Sequence, residues 1–446
     1  MSATTGTRPA REGTAADTNA APIDAAGSSR PWLVLWMLCG IYVLNFLDRQ
    51  LLAILAKPIQ DELHITDGQL GRIGGLYFAL FYCFIAIPIG WLADKTNRVT
   101  ILSLACAIWS AATAACGLAA NYGQLVAARM AVGFGEAGGV PPSYAIISDT
   151  FPPGRRGLAF GIYNLGPPIG AALGVAFGAS IAAAFDWRHA FLAIGAAGII
   201  GAVAVKLIVR EPARGAFDGA VQRGQGASFW ETARMFFSRP PLMLAALGSG
   251  ATQFITYGLG NFTVLFLMRE KGMSLDEVAI WYALAMLFGM GGGMVVSGRL
   301  IDRMTARRRS AYATIPAVSL ILALPFYLGF LLAPSWPLAL ASLTGAMAFN
   351  YFYLSSAVAF VQEEVRPDQR VMSGALLLLI MNFIGLGLGP TYVGAASDWF
   401  AAHHVDHALQ VALLTLTPFY IVAAILFFWL ARILGRERAA SQGNTP

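Results

Sequence analysis

Gly90-Trp91-Leu92-Ala93-Asp94-Lys95 closes one long apolar stretch, and Gly298-Arg299-Leu300-Ile301-Asp302-Arg303 closes another. Gly90 and Gly298 stand 208 residues apart, and Asp94 and Asp302 share that separation. Basic residues follow each copy, Arg98 after the first and Arg307 to Arg309 after the second. One such pattern is weak evidence. Two at matching places mean that the chain repeats itself, as polytopic proteins built from parallel halves do. In each copy the glycine lets a neighbouring helix come close, and the aspartate can accept from a helix N-terminus. The basic residues suit lipid headgroups or acidic partners.

The stretches that lead into these loops set the environment. The chain has 446 residues, 57% hydrophobic and only 12% charged, with mean hydropathy +0.62. A water-soluble surface needs more charge than that. The apolar residues also come in blocks of the roughly 20 residues that cross about 30 Å of hydrocarbon. Twelve such blocks are expected as helices, near 31–57, 68–93, 98–119, 122–149, 156–184 and 188–209, then near 241–269, 275–301, 310–332, 336–362, 369–398 and 409–434. A backbone in lipid must satisfy its own hydrogen bonds, so the expected class is all-α. The halves are two six-helix bundles, 31–209 and 241–434. Residues 1–30 lack an apolar run and read as a disordered tail, and 435–446 as a second tail. Between the bundles, 210–240 is a polar linker. Within it Ser228-Phe229-Trp230-Glu231 would cap a short helix that lies on the membrane surface through Trp230, Phe236 and Phe237, with Arg234 and Arg239.

On this topology the tails and even-numbered loops hold 23 of the 30 Lys and Arg. The positive-inside rule then puts both termini in the cytoplasm of a bacterial-type inner membrane. The net charge of +6 is therefore a topology signal, with no nucleic-acid partner implied. Cys39, Cys83, Cys106 and Cys116 fall in the apolar blocks as buried thiols.

Four charges lie inside helices: Asp48 and Arg49 in the first, Arg129 and Glu136 in the fourth. Each costs about 2.5–3.5 kcal/mol at a helix centre, so four unpaired would cost roughly 10 kcal/mol. They must meet one another or a wet cavity. A rise of 1.5 Å per residue puts Asp48 roughly 24 Å along a first helix running outward, and Arg129 roughly 10 Å below the outer end of the fourth. Those levels match. Neighbours in sequence point about 100° apart, so Arg129 suits Asp48 better than Arg49 does. Arg129 and Glu136, seven apart, share a face. A carboxylate in a low-dielectric cavity tends to hold its proton, while a nearby arginine opposes that. Opening and closing a cavity around Asp48 and Glu136 could thus load and release protons; the other reading is a structural charge network. Arg49 and Arg129 either balance these carboxylates or grip an anionic headgroup, which guanidinium does bidentately.

The glycine–aspartate–basic loops resemble the signature loop of the major facilitator superfamily, over nearly the whole chain after residue 30. Three stretches resemble spinster-type lipid transporters: Asn45-Phe46-Leu47-Asp48-Arg49-Gln50, Ala128-Arg129-Met130-Ala131-Val132-Gly133-Phe134-Gly135-Glu136-Ala137, and Ile147-Ser148-Asp149-Thr150-Phe151-Pro152-Pro153. The segment Gly161-Ile162-Tyr163-Asn164-Leu165-Gly166-Pro167-Pro168-Ile169-Gly170 looks like the fifth-helix glycine-proline motif of antiporters; its other reading is a close-packed helix pair. The resemblance implies alternating access, protons as the coupling ion with no other cofactor, and sphingolipid- or lysophospholipid-like cargo. It also implies gating by Gly90, Asp94, Arg98, Gly298, Asp302 and Arg303. Helices one, four, seven and ten would line the cavity. Polar residues there recur at helical spacing: Tyr42 and Asn45 ahead of Arg49; Gln253, Tyr257 and Asn261; and Asn350, Tyr351 and Tyr353. Such stripes in apolar surroundings suit an amphiphile, and they also serve as interhelical hydrogen bonds.

The alternative on this fold is a proton-linked carrier of organic anions or drugs. The chain shows no nucleophile–base pair, phosphate loop or Walker motif, so neither an enzyme nor an ATP-driven pump is expected. His403, His404 and His407 with Asp406 read as a loop cluster and not a metal site. The protein is expected to act as a monomer among membrane lipids.

Overall fold

The computed structural model describes residues 31–214 and 229–443 apart from 306 and 367–368, and omits some side chains within them, that of Asp94 included. The expected tail 1–30, the capping residue Ser228 and the linker portion 215–228 lie outside this set. The described residues form helices joined by short connections, without strands. Ten stretches, from Pro31–Ile54 to Ala408–Arg436, are long and apolar enough to cross a membrane. Two more of the expected blocks form helix pairs, Tyr122–Glu136 with Val140–Thr150 and Trp336–Asn350 with Phe352–Glu364.

The breaks correct the expectation of unbroken rods at these places. Gly138-Gly139 is followed by Pro141 and Pro142 in the first turn of Val140–Thr150. Proline has no N–H to return to the preceding turn, so the fourth helix must restart there. The fifth breaks in the same way. Pro153–Tyr163 ends, and Gly166–Ala184 restarts with Pro167 and Pro168 in its first turn. The glycine-proline segment is thus a helix restart that leads into a close-packed pair. A Cβ at Gly170 would stand 2.3 Å from the Val43 carbonyl oxygen, and one at Gly174 2.7 Å from that of Leu47. Only glycine lets the fifth helix come this near the first, and the contact backs the turn that carries Asp48 and Arg49.

Helices of the first half pack mainly on one another, as do those of the second. Trp32 packs edge-on to Phe151 at 5.3 Å, Arg98 reaches Asp149 and Glu211 at 2.6 Å each, and Arg309 pairs with Glu364. These contacts mark one end of the molecule, the end where Pro31–Ile54 begins. Gly90 and Gly298 are also there, yet among the described residues nothing stands within 4 Å of a Cβ at either. The described residues thus make no close approach at the two glycines in this conformation. At the far end the halves do meet. Asp67–Arg72 packs on Gly389–Ala402, and the π-helical turns Ile73–Tyr77 and Phe383–Leu388 pack on each other. Phe229–Ser238 forms the expected short linker helix, with Phe236 buried and Trp230 and Phe237 exposed.

Candidate functional site

All four intramembrane charges come together. The Asp48 and Arg129 side chains are 2% and 3% exposed, and Arg129 Nη1 stands 3.7 Å from Asp48 Oδ1. The other Asp48 oxygen accepts from the Thr113 hydroxyl at 2.5 Å. Arg49 Nε donates to Glu136 Oε2 at 2.6 Å, and that carboxylate is fully buried. The levels estimated from helix rise were sufficient to pair Asp48 with Arg129. Helix rise and spacing single out neither the partnership of Arg49 with Glu136 nor Thr113. An apolar third helix with one threonine at that depth carried the only signal for it.

The two arginines differ in how fully they are engaged. The Arg49 guanidinium has Glu136 on one side and lies over three rings, Phe46 at 5.0 Å, Phe78 at 5.4 Å and Tyr82 at 4.6 Å. A cation held this way is stabilised on several faces. Arg129 has one ring beneath it, Phe78 at 5.3 Å, and its Nε and Nη1 have no hydrogen-bond partner among the described residues. A 3.7 Å ion pair is longer than a hydrogen bond. Buried donors in that state cost free energy until something accepts from them.

Both arginines line a cavity between the halves. Its other polar walls include Gln50, Thr256, Tyr257, Asn261, Asn350 and Tyr351. Of the residues expected to line a cavity, Tyr257 and Asn261 therefore do so. Tyr42, Asn45, Gln253 and Tyr353 do not line this one, and packing explains why. Tyr42 stacks on Tyr163 at 4.5 Å, in the pair that Gly166 makes close. Gln253 lies against Gly385, where a Cβ would stand 2.2 Å from its own. Asn45 and Tyr353 are 4% and 2% exposed. The tenth helix breaks at Tyr351, which turns Asn350 and Tyr351 into the cavity and leaves Tyr353 in the bundle.

Among the residues expected to gate, Arg98 holds the acidic partners Asp149 and Glu211, and Asp302 and Arg303 are exposed. The Asp94 side chain lies outside the described residues. His407 pairs with Glu270, and the His403 ring lies tilted against Trp399 with centroids 4.2 Å apart.

The description "Major Facilitator Superfamily" matches residues 38–390. An "MFS-type efflux pump" of Mycolicibacterium smegmatis is 29% identical over 92% of this chain and 94% of its own length. "Protein spinster homolog 3" of Danio rerio is 27% identical over 94% and 89%. A solved bacterial homolog of the human lysosomal transporter Spinster, described as inward-facing and unoccupied, superposes with a TM-score of 0.84. It is 31% identical and covers 91% of this chain and 98% of its own. With the paired halves and the charged cavity between them, these likenesses place the chain in the Major Facilitator Superfamily, among its spinster-like transporters.

Proposed function

We propose that this protein is a proton-coupled secondary transporter that moves sphingolipid- or lysophospholipid-like amphiphiles by alternating access. It crosses a bacterial-type inner membrane twelve times, the two broken helix pairs supplying the fourth and tenth crossings. The end at which Pro31–Ile54 begins faces the cytoplasm. The far end, where the halves meet, is then periplasmic, and the conformation is inward-facing.

One observation carries the reading: Arg129 is buried beside the cavity with Nε and Nη1 lacking a hydrogen-bond partner among the described residues, next to a second arginine that Glu136 and three rings already engage. Two carboxylates and two arginines in one buried cluster sum to no net charge. An anionic headgroup that enters and pairs with Arg129 withdraws it from Asp48. Asp48 then sits in a low-dielectric site without its counter-charge and favours a proton. Substrate binding and proton uptake are linked in this way through one side chain, and linkage of that kind is reciprocal. Arg49, with Glu136, positions the same turn of the first helix. Aromatic and aliphatic walls suit the tail of an amphiphile.

The second reading, a carrier of organic anions or drugs, draws on the same cationic cavity and on the mycobacterial relative's name as an efflux pump. Purified protein in liposomes under an imposed pH gradient separates the two. A labelled lysophospholipid should move faster than a labelled organic acid of equal charge, and collapsing the gradient should abolish the difference. Faster movement of the organic acid would favour the second reading.

A further inference from the structure

We propose that the far end of the molecule is held shut by a latch centred on Asp67, and that this latch must break before the transporter can open to that side. Asp67 opens the second crossing, in the first half of the chain. Its carboxylate takes four hydrogen bonds. Arg269, in the last turn of Pro240–Lys271, donates Nη1 to Oδ2 at 2.9 Å and Nη2 to Oδ1 at 3.0 Å. Ser397, in Gly389–Ala402, donates to Oδ2 at 2.6 Å. Gln60, from Asp67's own half, donates to Oδ1 at 2.7 Å. Three of the four donor atoms thus belong to the opposite half, and parting the halves would leave the carboxylate with Gln60 alone. The bidentate geometry matters, because a fork of two parallel bonds tolerates little displacement. Beside it the Thr66 hydroxyl donates to Asp398 at 2.7 Å, again across the halves.

Arg269 is carried rigidly with the second half. Its neighbour Glu270 pairs with His407, and Lys271 Nζ donates to the Leu331 and Ala333 carbonyls at 3.1 and 2.8 Å. Three consecutive side chains at one helix end thus reach three different places, and two of the three pin that end to its own half. Any rotation of the second half must draw Arg269 off Asp67.

The backbone seam beneath the latch has the same design. A Cβ at Gly71 would stand 2.3 Å from the Pro390 carbonyl oxygen, and one at Gly394 2.3 Å from that of Asp67. These contacts are backbone to backbone, so no side-chain rotation relieves them. The seam closes only because both residues are glycine, and it brings Asp67 within reach of Ser397 and Arg269. Polar latch and glycine seam are one device, placed on the two crossings that carry facing π-helical turns.

Spin-label distances across this end test the proposal. Ala120→Cys and Ser335→Cys place labels on exposed loops of the two halves, and the four native cysteines are buried. In lipid nanodiscs, Asp67→Asn should raise the ratio of long to short distances about tenfold, the effect of losing one charge-assisted interaction. Arg269→Gln should do the same, and the double variant should do no more than the stronger single one, since both break one contact. Gly71→Ala should lengthen the distances without touching a charge. If Asp67→Asn is not recovered folded, Arg269→Gln, at a side chain 39% exposed, carries the polar half of the test. Wild-type distances in both Arg269→Gln and Gly71→Ala would overturn the latch, and so would additive effects of Asp67→Asn and Arg269→Gln.

Discussion

Replacing Arg49 and Glu136, singly and together, separates what these charges do for stability from what they do for transport. Glu136 is fully buried, and Arg49 Nε is its hydrogen-bonded partner at 2.6 Å. Arg49→Met leaves a buried carboxylate whose other oxygen already has no partner among the described residues. Breaking a buried pair from one side costs about 3–5 kcal/mol. Glu136→Leu leaves Arg49 over Phe46, Phe78 and Tyr82, and each ring returns about 0.5–2 kcal/mol. That variant should fall near the lower end of the range. The double variant removes both charges and fills the space with apolar atoms. Such replacements are often neutral or stabilising, so it should lie within about 1 kcal/mol of the parent. Thermal unfolding in nanodiscs, followed by tryptophan fluorescence, reads the order: Arg49→Met lowest, Glu136→Leu next, the double variant near wild type. Transport in liposomes should be lost in all three. A double variant that is as unstable as the two single losses summed would refute the reasoning, because the pair would then hold the bundle together.

Three further outcomes follow from individual contacts. Arg129→Lys keeps the charge but loses the fork, and it should weaken binding of a lysophospholipid about tenfold relative to its phosphate-free analogue, whereas Arg49→Lys should alter that ratio far less; binding assays with both lipids check this. Gly170→Ala should destabilise the protein by about 1–3 kcal/mol in the same unfolding assay, since a methyl there meets the Val43 carbonyl. Asp186 caps the helix Trp187–Ile208: the backbone N–H of His189 at 2.8 Å, helped by the His189 ring, holds its carboxyl below the usual carboxylate range. A lowered folded-state pKa contributes stability that is present above the unfolded value, about 3.9, and is lost as pH falls through the folded one. Asp186→Ala should therefore lower the melting temperature at pH 7 and lose that deficit as pH falls below about 4, which scans at both pH values will show.

How legible this was in the sequence depended on the kind of interaction. Asp48, Arg49, Arg129 and Glu136 stood out because charge is so costly in hydrocarbon, and helix rise alone matched Asp48 with Arg129. Helix ends were legible wherever an apolar block stopped. The breaks at Gly138-Gly139 and before Pro167 were written in glycine and proline, but an apolar block reads as continuous across them. Tyr42 and Gln253 looked like cavity residues because helical spacing gives a face and not the neighbour on that face. For Tyr42 the neighbour is Tyr163, and for Gln253 it is Gly385 in the π-helical turn Phe383–Leu388. The Asp67 cluster was hidden for a different reason. Asp67 and Arg269 sit at helix ends, where charge is ordinary, and 202 residues separate them. Only the glycines Gly68, Gly71 and Gly75, on one face of the second crossing, hinted that another helix comes close there.

The central claim, that cargo and protons are linked through the buried cluster, is tested most directly by proton movement in weakly buffered liposomes that contain the protein and no imposed gradient. Adding a lysophospholipid should drive proton uptake from the solution with a time course that matches lipid movement. That signal should vanish in the Asp48→Asn, Glu136→Gln double variant while the lipid still binds. Lipid movement without proton uptake in the wild type, or an undiminished proton signal in the double variant, would contradict the account.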